Sequence, residues 1–161
     1  MRSEIKTLPN FEKEDQKLVL KNISFAWKKD QKILDGCNLS ITSPGLWMLV
    51  GCNGSGKSTL FRLIGGLLKP QAGDMFCSFK PALVLQNPDH QLLLPSCTSD
   101  LLLSLPPGLS MLQRNQRIAF LLSEVGLEGM ADRPIHTLSG GQKQRLALAG
   151  ALASQANLLL L

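Results

Sequence analysis

The run from residue 51 to residue 59, GCNGSGKST, constrains the fold of this chain more than any other stretch. Gly51, Gly56, Lys57 and Ser58 fill every fixed position of the pattern G-x-x-x-x-G-K-[ST]. In such a loop the backbone N–H groups surround phosphate oxygens, the lysine reaches the outer phosphates, and the hydroxyl can ligate Mg²⁺. A glycine turn that matches by chance is the alternative, and the fixed positions argue against it. The sequence therefore predicts a phosphate-binding loop, whose other members are Asn53, Gly54, Ser55 and Thr59.

The stretches on both sides of this loop predict a strand and a helix. GLWMLV, residues 45–50, is a continuous apolar run typical of a buried strand, and Trp47 within it is expected in the core. STLFRLIGGLL, residues 58–68, has the apolar spacing of a helix. The partial positive charge at the start of that helix favours a bound anion. Strand, loop and helix in this order predict an α/β fold with a nucleotide site.

Length and composition exclude several other classes of protein. The chain has 161 residues, of which 44% are hydrophobic, and this suits one domain with a sizeable core. No apolar run has the length of a membrane-spanning helix or the form of a secretion signal. The 4 cysteines and 2 histidines are scattered, so neither a metal cluster nor a disulfide is expected. The net charge of +5 is spread without a basic patch interleaved with aromatic residues, so no nucleic-acid partner is expected.

The first part of the chain predicts a lead-in followed by a hairpin. Residues 1–16 are polar and charged and predict a flexible segment, so the folded domain is expected over 17–161. Residues 18–27 and 33–41 are rich in β-forming residues, and the charged stretch KKDQK between them predicts a turn. Trp27 ends the first of these strands. Its ring could stack on an adenine base or pack on the rim of the core, and the residues alone leave both open.

The middle of the chain predicts strands and then helices. Residues 74–79 and 81–86 predict two strands, and Gln86 ends the second. Open α/β sheets place ligand-binding groups at the carboxyl ends of their strands, which makes Gln86 a candidate; a solvated loop glutamine is the alternative. Leucines and prolines then predict short helices, and residues 111–126 predict an amphipathic helix. A helical subdomain is therefore expected over roughly 88–145.

A second motif, LSGGQKQR, occupies residues 138–145 and precedes a stretch of high helix propensity. Ser139 is expected to cap that helix. The glycines at positions 140 and 141 leave backbone N–H groups open, so the helix start is a second candidate anion site. A plain helix cap is the alternative, and the rarity of LSGGQ beside a phosphate loop argues against it.

The phosphate loop, the glutamine after a strand and LSGGQ together resemble the ATP-binding subunit of ATP-binding cassette (ABC) transporters. The resemblance covers residues 18–161, and the stretches QNPDHQLL and LSGGQKQRLALAGALA are most similar to the energy-coupling-factor or cobalt-type importer ATPases. The fold implied is an α/β P-loop NTPase cassette. It would have an N-terminal antiparallel β hairpin and a helical subdomain, with the C-terminal part of the core missing.

The resemblance implies a role for each residue of the nucleotide site. Trp27 corresponds to the aromatic residue that stacks on adenine, and residues 51–59 to the loop that binds the phosphates of ATP. Lys57 and Gln86 would act in catalysis, with Ser58 and Gln86 holding Mg²⁺ and Gln86 sensing the attacking water. In this family the second motif contacts the γ-phosphate of ATP held by the opposite subunit, so a head-to-tail homodimer or heterodimer is implied. The residues at those positions are Ser139, Gly140, Gly141 and Gln142.

The same resemblance implies a membrane partner and a location. Residues 89–100 would face an integral membrane transporter subunit. The chain would then lie peripherally on the cytoplasmic face of a membrane and couple ATP binding and hydrolysis to transport.

The end of the sequence bears on hydrolysis. NLLLL, residues 157–161, resembles the start of the strand that leads, in this family, to an aspartate that holds Mg²⁺ and a glutamate that polarises water. The sequence ends before both, so the chain is expected to be truncated and deficient in hydrolysis on its own. Two rival interpretations are a soluble cassette ATPase acting on nucleic acid or ribosomes, and a non-catalytic nucleotide-binding module.

Overall fold

A computed structural model describes residues 17–28 and 31–161. The predicted lead-in over residues 1–16, and Lys29 and Asp30 of the predicted charged turn, lie outside the described residues. Within the described ranges, no helix is long and apolar enough to cross a membrane.

An antiparallel sheet forms one side of the molecule. Its strands are β1 (Leu18–Lys28), β2 (Gln31–Ile41) and β3 (Ala72–Cys77), in the order β2-β1-β3. The predicted N-terminal hairpin is thus confirmed. The pairing of β1 with β2 shifts register between Leu20 and Ile23, because Asn22 adopts a positive φ of 51° and interrupts the alternation. That bulge keeps the apolar side chains before and after it on the same buried face.

Helix α1 (Lys57–Ile64) packs between this sheet and a second, parallel pair of strands, β4 (Pro81–Leu83) and β5 (Leu158–Leu160). Its buried leucine and isoleucine side chains share a core cluster with those of β1 and with Leu160. The helix is shorter than the predicted 58–68 because consecutive glycines at 65 and 66 end it. The strand predicted over residues 81–86 is also shorter than expected, because β4 ends at Leu83. Gln86 therefore lies in the loop that follows and does not end the strand.

The prediction of a buried strand over residues 45–50 is wrong. Residues 46–50 form no regular strand, and their side chains are between 40% and 95% exposed. Trp47, expected in the core, is 57% exposed, and its indole nitrogen donates to the carbonyl oxygen of Ser43 at 3.3 Å. An apolar run forms a strand only when neighbouring strands pair with its N–H and C=O groups. Among the described residues β4 pairs directly with β5, and neither strand pairs with this run.

The helices α2 (Cys97–Ser104), α3 (Met111–Glu124) and α4 (Gly140–Ala153) share a second core cluster. Short 3-10 helices, Pro88–His90 and Ile135–Thr137, adjoin it. The predicted amphipathic face of α3 is buried there. Burial raises the pKa of the Cys97 thiol, so this cysteine is a packing residue. The extent of a helical subdomain, roughly 88–145, stays a prediction.

The close approach of β3 to β1 depends on Gly73. A Cβ at this residue would lie 2.4 Å from the carbonyl oxygens of Asn22 and Lys21, and φ is +87°. We expect Gly73→Ala to lower the free energy of unfolding by about 3 kcal/mol or more, through both collision and backbone strain.

Gly129→Ala is the matched control, because Gly129 has a φ of +73° and nothing within 4 Å of a Cβ. It should cost only about 1 kcal/mol, the strain of the left-handed conformation. Urea unfolding of the protein measures both. Equal losses would contradict the close β1–β3 contact.

Candidate functional site

The loop of residues 51–56 ends where α1 begins, and this helix start is open to an anion. Gly56 is the N-cap, no side chain caps the first turn, and that turn has no acidic residue. The first backbone N–H groups of the helix therefore keep their capacity to donate. Gly56 has a φ of +92°, and a Cβ there would lie 2.9 Å from Leu34 Cδ2 and 3.1 Å from the carbonyl oxygen of Ile33. Glycine thus lets the helix start against β2.

Lys57 is held by the loop itself. Its Nζ donates to the carbonyl oxygen of Gly51 at 2.7 Å and to that of Cys52 at 2.8 Å. These bonds keep the ammonium group inside the curve of the loop. The positive charge and the open helix N-terminus therefore act on the same small region, which favours a polyanion such as a phosphate chain.

An open cleft of about 360 Å³ adjoins the loop. Trp27 from β1, the loop and Gln86 after β4 come together around it, although they are far apart in the sequence. Gly51 and Ser55 belong to the loop without lining the cleft. Ile33 lines it and was missed, because an apolar residue near the start of β2 carries no local signal of a binding role. The full lining is Trp27, Ile33, Asn53, Gly54, Gly56, Lys57, Ser58, Thr59 and Gln86.

Trp27 packs on the rim of the core and also keeps exposed ring surface. Its ring meets the buried Phe25 ring edge-on, with centroids 5.1 Å apart and an interplanar angle of 84°. At the same time the side chain is 55% exposed and borders the cleft. Packing on Phe25 therefore leaves aromatic surface available to a flat ligand.

Oxygen donors in the cleft fit a hard cation. The Ser58 hydroxyl and the Gln86 side-chain amide both lie at exposed positions of the lining. Mg²⁺ prefers such oxygen ligands, and it takes its remaining ligands from phosphate and water. Because both side chains are neutral, the site fits Mg²⁺ only together with an anionic ligand.

The second motif lies at the start of α4 and is capped as expected. The Ser139 hydroxyl accepts from the Gln142 backbone N–H at 3.3 Å, and Gln142 Oε1 accepts from the Ser139 N–H at 2.8 Å. Gly140 and Gly141 are exposed, with open space where a Cβ would stand. Of the residues that the structure describes, none from 139 to 142 lines the cleft beside the phosphate loop. The chain therefore does not bring its two motifs to one site.

A second open cleft, about 320 Å³ in volume, lies between the loop after Gln86 and the 3-10 helix Ile135–Thr137. Most of its lining residues are apolar, and an ion pair joins Lys143 Nζ to Asp89 Oδ1 at 2.6 Å. The lining is Asp89, Leu92, Leu93, Leu94, Pro95, Ile135, His136 and Lys143.

The buried carboxylate of Asp100 supports the leucine segment of this second cleft. Asp100 Oδ1 accepts from the backbone N–H of Leu93 at 2.8 Å and of Leu94 at 3.1 Å. Sequence reasoning missed Asp100 and Lys143 as site-forming residues, because each acts on a segment distant in the sequence or across a loop. The leucines thus present a supported apolar surface beside a charged pair.

Comparison with known proteins gives the following similarities. Residues 34–161 match the family model described as ABC transporter. ABC transporter I family member 10 of Arabidopsis thaliana is 44% identical over 131 residues, which cover 80% of this chain and 48% of the relative. The energy-coupling factor transporter ATP-binding protein EcfA of Methanocaldococcus jannaschii is 35% identical over 157 residues, covering 88% and 56%. The chain spans about half the length of these curated relatives.

Solved structures resemble the fold closely. The structure of cbiO1 from Clostridium perfringens, described as part of the ABC transporter complex cbiONQ, has a TM-score of 0.78 and 29% identity. It is matched over 91% of this chain and 64% of its own. A dimeric ATP-binding cassette in a post-hydrolysis state, bound to ADP and Pi, has a TM-score of 0.78 and 27% identity, with coverage of 88% and 72%.

Proposed function

This chain belongs to the ABC transporter family, and on that premise we propose that the cleft beside the phosphate loop binds ATP together with Mg²⁺. The observation that carries the proposal is the meeting of Trp27, Lys57 and Gln86 around one cleft. The aromatic face of Trp27 matches the base, and Lys57 beside the free N–H groups of α1 matches the phosphates. The neutral oxygen atoms of Ser58 and Gln86 match the metal as ligands.

Each part of the nucleotide has a partner in this proposal. The adenine base stacks on the exposed surface of Trp27, and the phosphate chain lies along the loop against the start of α1. Lys57 exchanges its carbonyl partners at Gly51 and Cys52 for phosphate oxygens, which form stronger, charge-assisted bonds. Ser58 and Gln86 hold Mg²⁺, which neutralises charge on the phosphates when bound.

The function proposed for the whole protein is that of an ATP-binding subunit, which couples ATP binding and hydrolysis to transport across a membrane. Support comes from its relatives, which include an energy-coupling factor ATP-binding protein and a component of a transporter complex. The stretch QNPDHQLL, residues 86–93 after β4, favours the energy-coupling-factor or cobalt-type group within the family.

We further infer that the second motif acts on ATP held by another subunit, in a head-to-tail dimer. The N-terminus of α4 is exposed, and the glycines at 140 and 141 leave room for an anion to approach. Among the described residues, none from 139 to 142 lines this chain's own cleft beside the phosphate loop. A related solved cassette is dimeric and holds ADP and Pi.

The second cleft is the proposed docking surface for an integral membrane subunit. Leu93 within it is 74% exposed, and the carboxylate of Asp89 lies at its edge. This combination suits a short segment with apolar side chains, since Lys143 already pairs with the Asp89 carboxylate. Docking there would hold the protein peripherally at the cytoplasmic face of a membrane, and the similarity to cbiO1, a part of an ABC transporter complex, supports a transporter partner.

We expect Lys57→Ala to weaken binding of Mg²⁺-ATP by about 10- to 100-fold, because a charge-assisted contact with phosphate is lost. Isothermal titration calorimetry on the full protein measures the affinity. Lys69→Ala is the control, since Lys69 is an exposed lysine after α1 that does not line the cleft. An unchanged ATP affinity in Lys57→Ala would contradict the proposed phosphate site.

Ser139→Ala should leave ATP binding by the monomer within about twofold of wild type and weaken ATP-dependent dimerisation about tenfold, because it removes one contact to the partner's nucleotide. Sedimentation with a non-hydrolysable ATP analogue measures dimerisation.

Ser110→Ala provides a matched control for Ser139→Ala. Ser110 caps α3 through the same capping box, with Gln113 in the role that Gln142 has in α4. Both substitutions remove an equivalent cap, which costs about 1 kcal/mol of stability. Only Ser139→Ala should impair dimerisation, and equal impairment by both would reduce the role of Ser139 to helix stability.

Leu93→Glu should abolish co-purification of the protein with an integral membrane protein from detergent-solubilised membranes, because it buries an unpaired charge in the docking surface. Leu103→Glu is the control: Leu103 is 63% exposed on α2 and does not line the second cleft. Recovery of the same membrane protein with Leu93→Glu would argue against this surface.

A further inference from the structure

A side-chain amide continues the sheet beyond the end of strand β3. The pairing of β3 with β1 reaches Ser24 and Ala72, and the backbone N–H of Gln71 then donates to the Ser24 carbonyl at 2.9 Å. Beyond this point the side chain of Gln71 takes over. Its Nε2 donates to the carbonyl oxygen of Ala26 at 2.9 Å, and its Oε1 accepts from the Ala26 N–H at 2.9 Å. One glutamine thus replaces the next backbone pair that a longer β3 would supply.

On its other side the end of β1 is paired with β2, Ala26 opposite Lys32 and Lys28 opposite Gln31, but this pairing is irregular. The ladder between β1 and β2 shifts register between Phe25 and Ala26 and again between Ala26 and Lys28. The β3 ladder has already ended at Ser24. On the β3 side, the backbone of Ala26 is therefore held by the two hydrogen bonds of the Gln71 side-chain amide. Trp27 follows Ala26 directly, so the orientation of its ring depends on how firmly Ala26 is held.

We propose that Gln71 is a positioning residue for Trp27: it holds the end of β1 so that the indole ring faces the base of the bound nucleotide. This inference rests on the proposed ATP site and adds a determinant of its preference for a nucleotide over a bare triphosphate. Gln71 itself does not line the cleft and acts only through the strand.

The geometry requires both halves of the amide. Gln71 donates to one backbone group of Ala26 and accepts from the other, with equal distances of 2.9 Å. A carboxylate at this position would keep the bond from the N–H and oppose the carbonyl oxygen. Alanine would lose both bonds. Gln71→Glu therefore serves as a second variant that keeps the size of the side chain.

The test compares the affinities of the full protein for ATP and for inorganic tripolyphosphate, both with Mg²⁺, by calorimetry. Wild type should prefer ATP, because stacking of the base adds to the phosphate contacts. Gln71→Ala should weaken ATP binding about threefold to tenfold, part of the effect of losing a stacked base, and leave tripolyphosphate binding within about twofold. Gln71→Glu should shift the ratio of the two affinities in the same direction.

Asn38→Ala is the matched control. The Asn38 side chain also braces β1, with Oδ1 accepting from the Asn22 N–H at 3.0 Å, but it does so away from Trp27. This variant should lose stability and retain the wild-type ratio of the two affinities. In a Trp27→Ala background, adding Gln71→Ala should leave the ratio unchanged, because no positioned ring remains.

The possible outcomes separate the two proposals. If wild type prefers ATP but Gln71→Ala and Gln71→Glu keep that preference, or weaken both ligands equally, the positioning role of Gln71 is overturned. The positioning role is also overturned if Gln71→Ala, added to Trp27→Ala, lowers the affinity for ATP relative to that for tripolyphosphate still further. If wild type binds neither ligand, or binds both with equal affinity, the proposed nucleotide site at Trp27 fails, and the inference drawn from it fails too.

Discussion

The packing of α1 against β1 and β2 brings the phosphate loop and Trp27 to one cleft. Leu60, Leu63 and Ile64 of the helix are buried in a cluster with leucine and isoleucine side chains of the sheet. Burial of side chains of this size contributes roughly 1.5–3 kcal/mol each, so the three together outweigh any single polar contact in the loop. Because the helix starts where Gly56 touches β2, its open N-terminus and Lys57 come to lie beside Trp27.

A second core holds the other functional surfaces. The cluster of α2, α3 and α4 is built from buried leucine, isoleucine and alanine side chains, and it fixes the start of α4 on the surface. The ion pair between Lys143 on α4 and Asp89 ties this helix to the loop that follows Gln86. The helix that carries the second motif and the segment after Gln86 therefore meet at the second cleft, which both Lys143 and Asp89 line.

Local chemistry accounts for what sequence reasoning identified correctly. The glycine loop before α1 and the serine caps each depend on a few consecutive residues, and the paired hairpin strands β1 and β2 are neighbours in the sequence. The buried-strand prediction for residues 45–50 failed because strand formation needs partners elsewhere in the chain. An apolar pattern specifies that a segment can be buried, whereas the pairing specifies whether it is. The roles of Gln71 and Lys143 were missed for the same reason, since their contacts with Ala26 and Asp89 cross long stretches of sequence.

The sequence by itself determined the chemistry available to this protein: a glycine loop with its lysine and hydroxyls, a capped helix start at Ser139, and a tryptophan at the end of a strand. These follow from residue identity and short-range geometry. Only the tertiary structure decided which of these groups share a site. It brought Trp27 and Gln86 to the loop, kept Ser139 away from it among the described residues, and gave Gln71 the backbone of Ala26 as a partner. The physical reason is that long-range proximity depends on how whole helices and strands bury their apolar faces, and no local pattern encodes that arrangement.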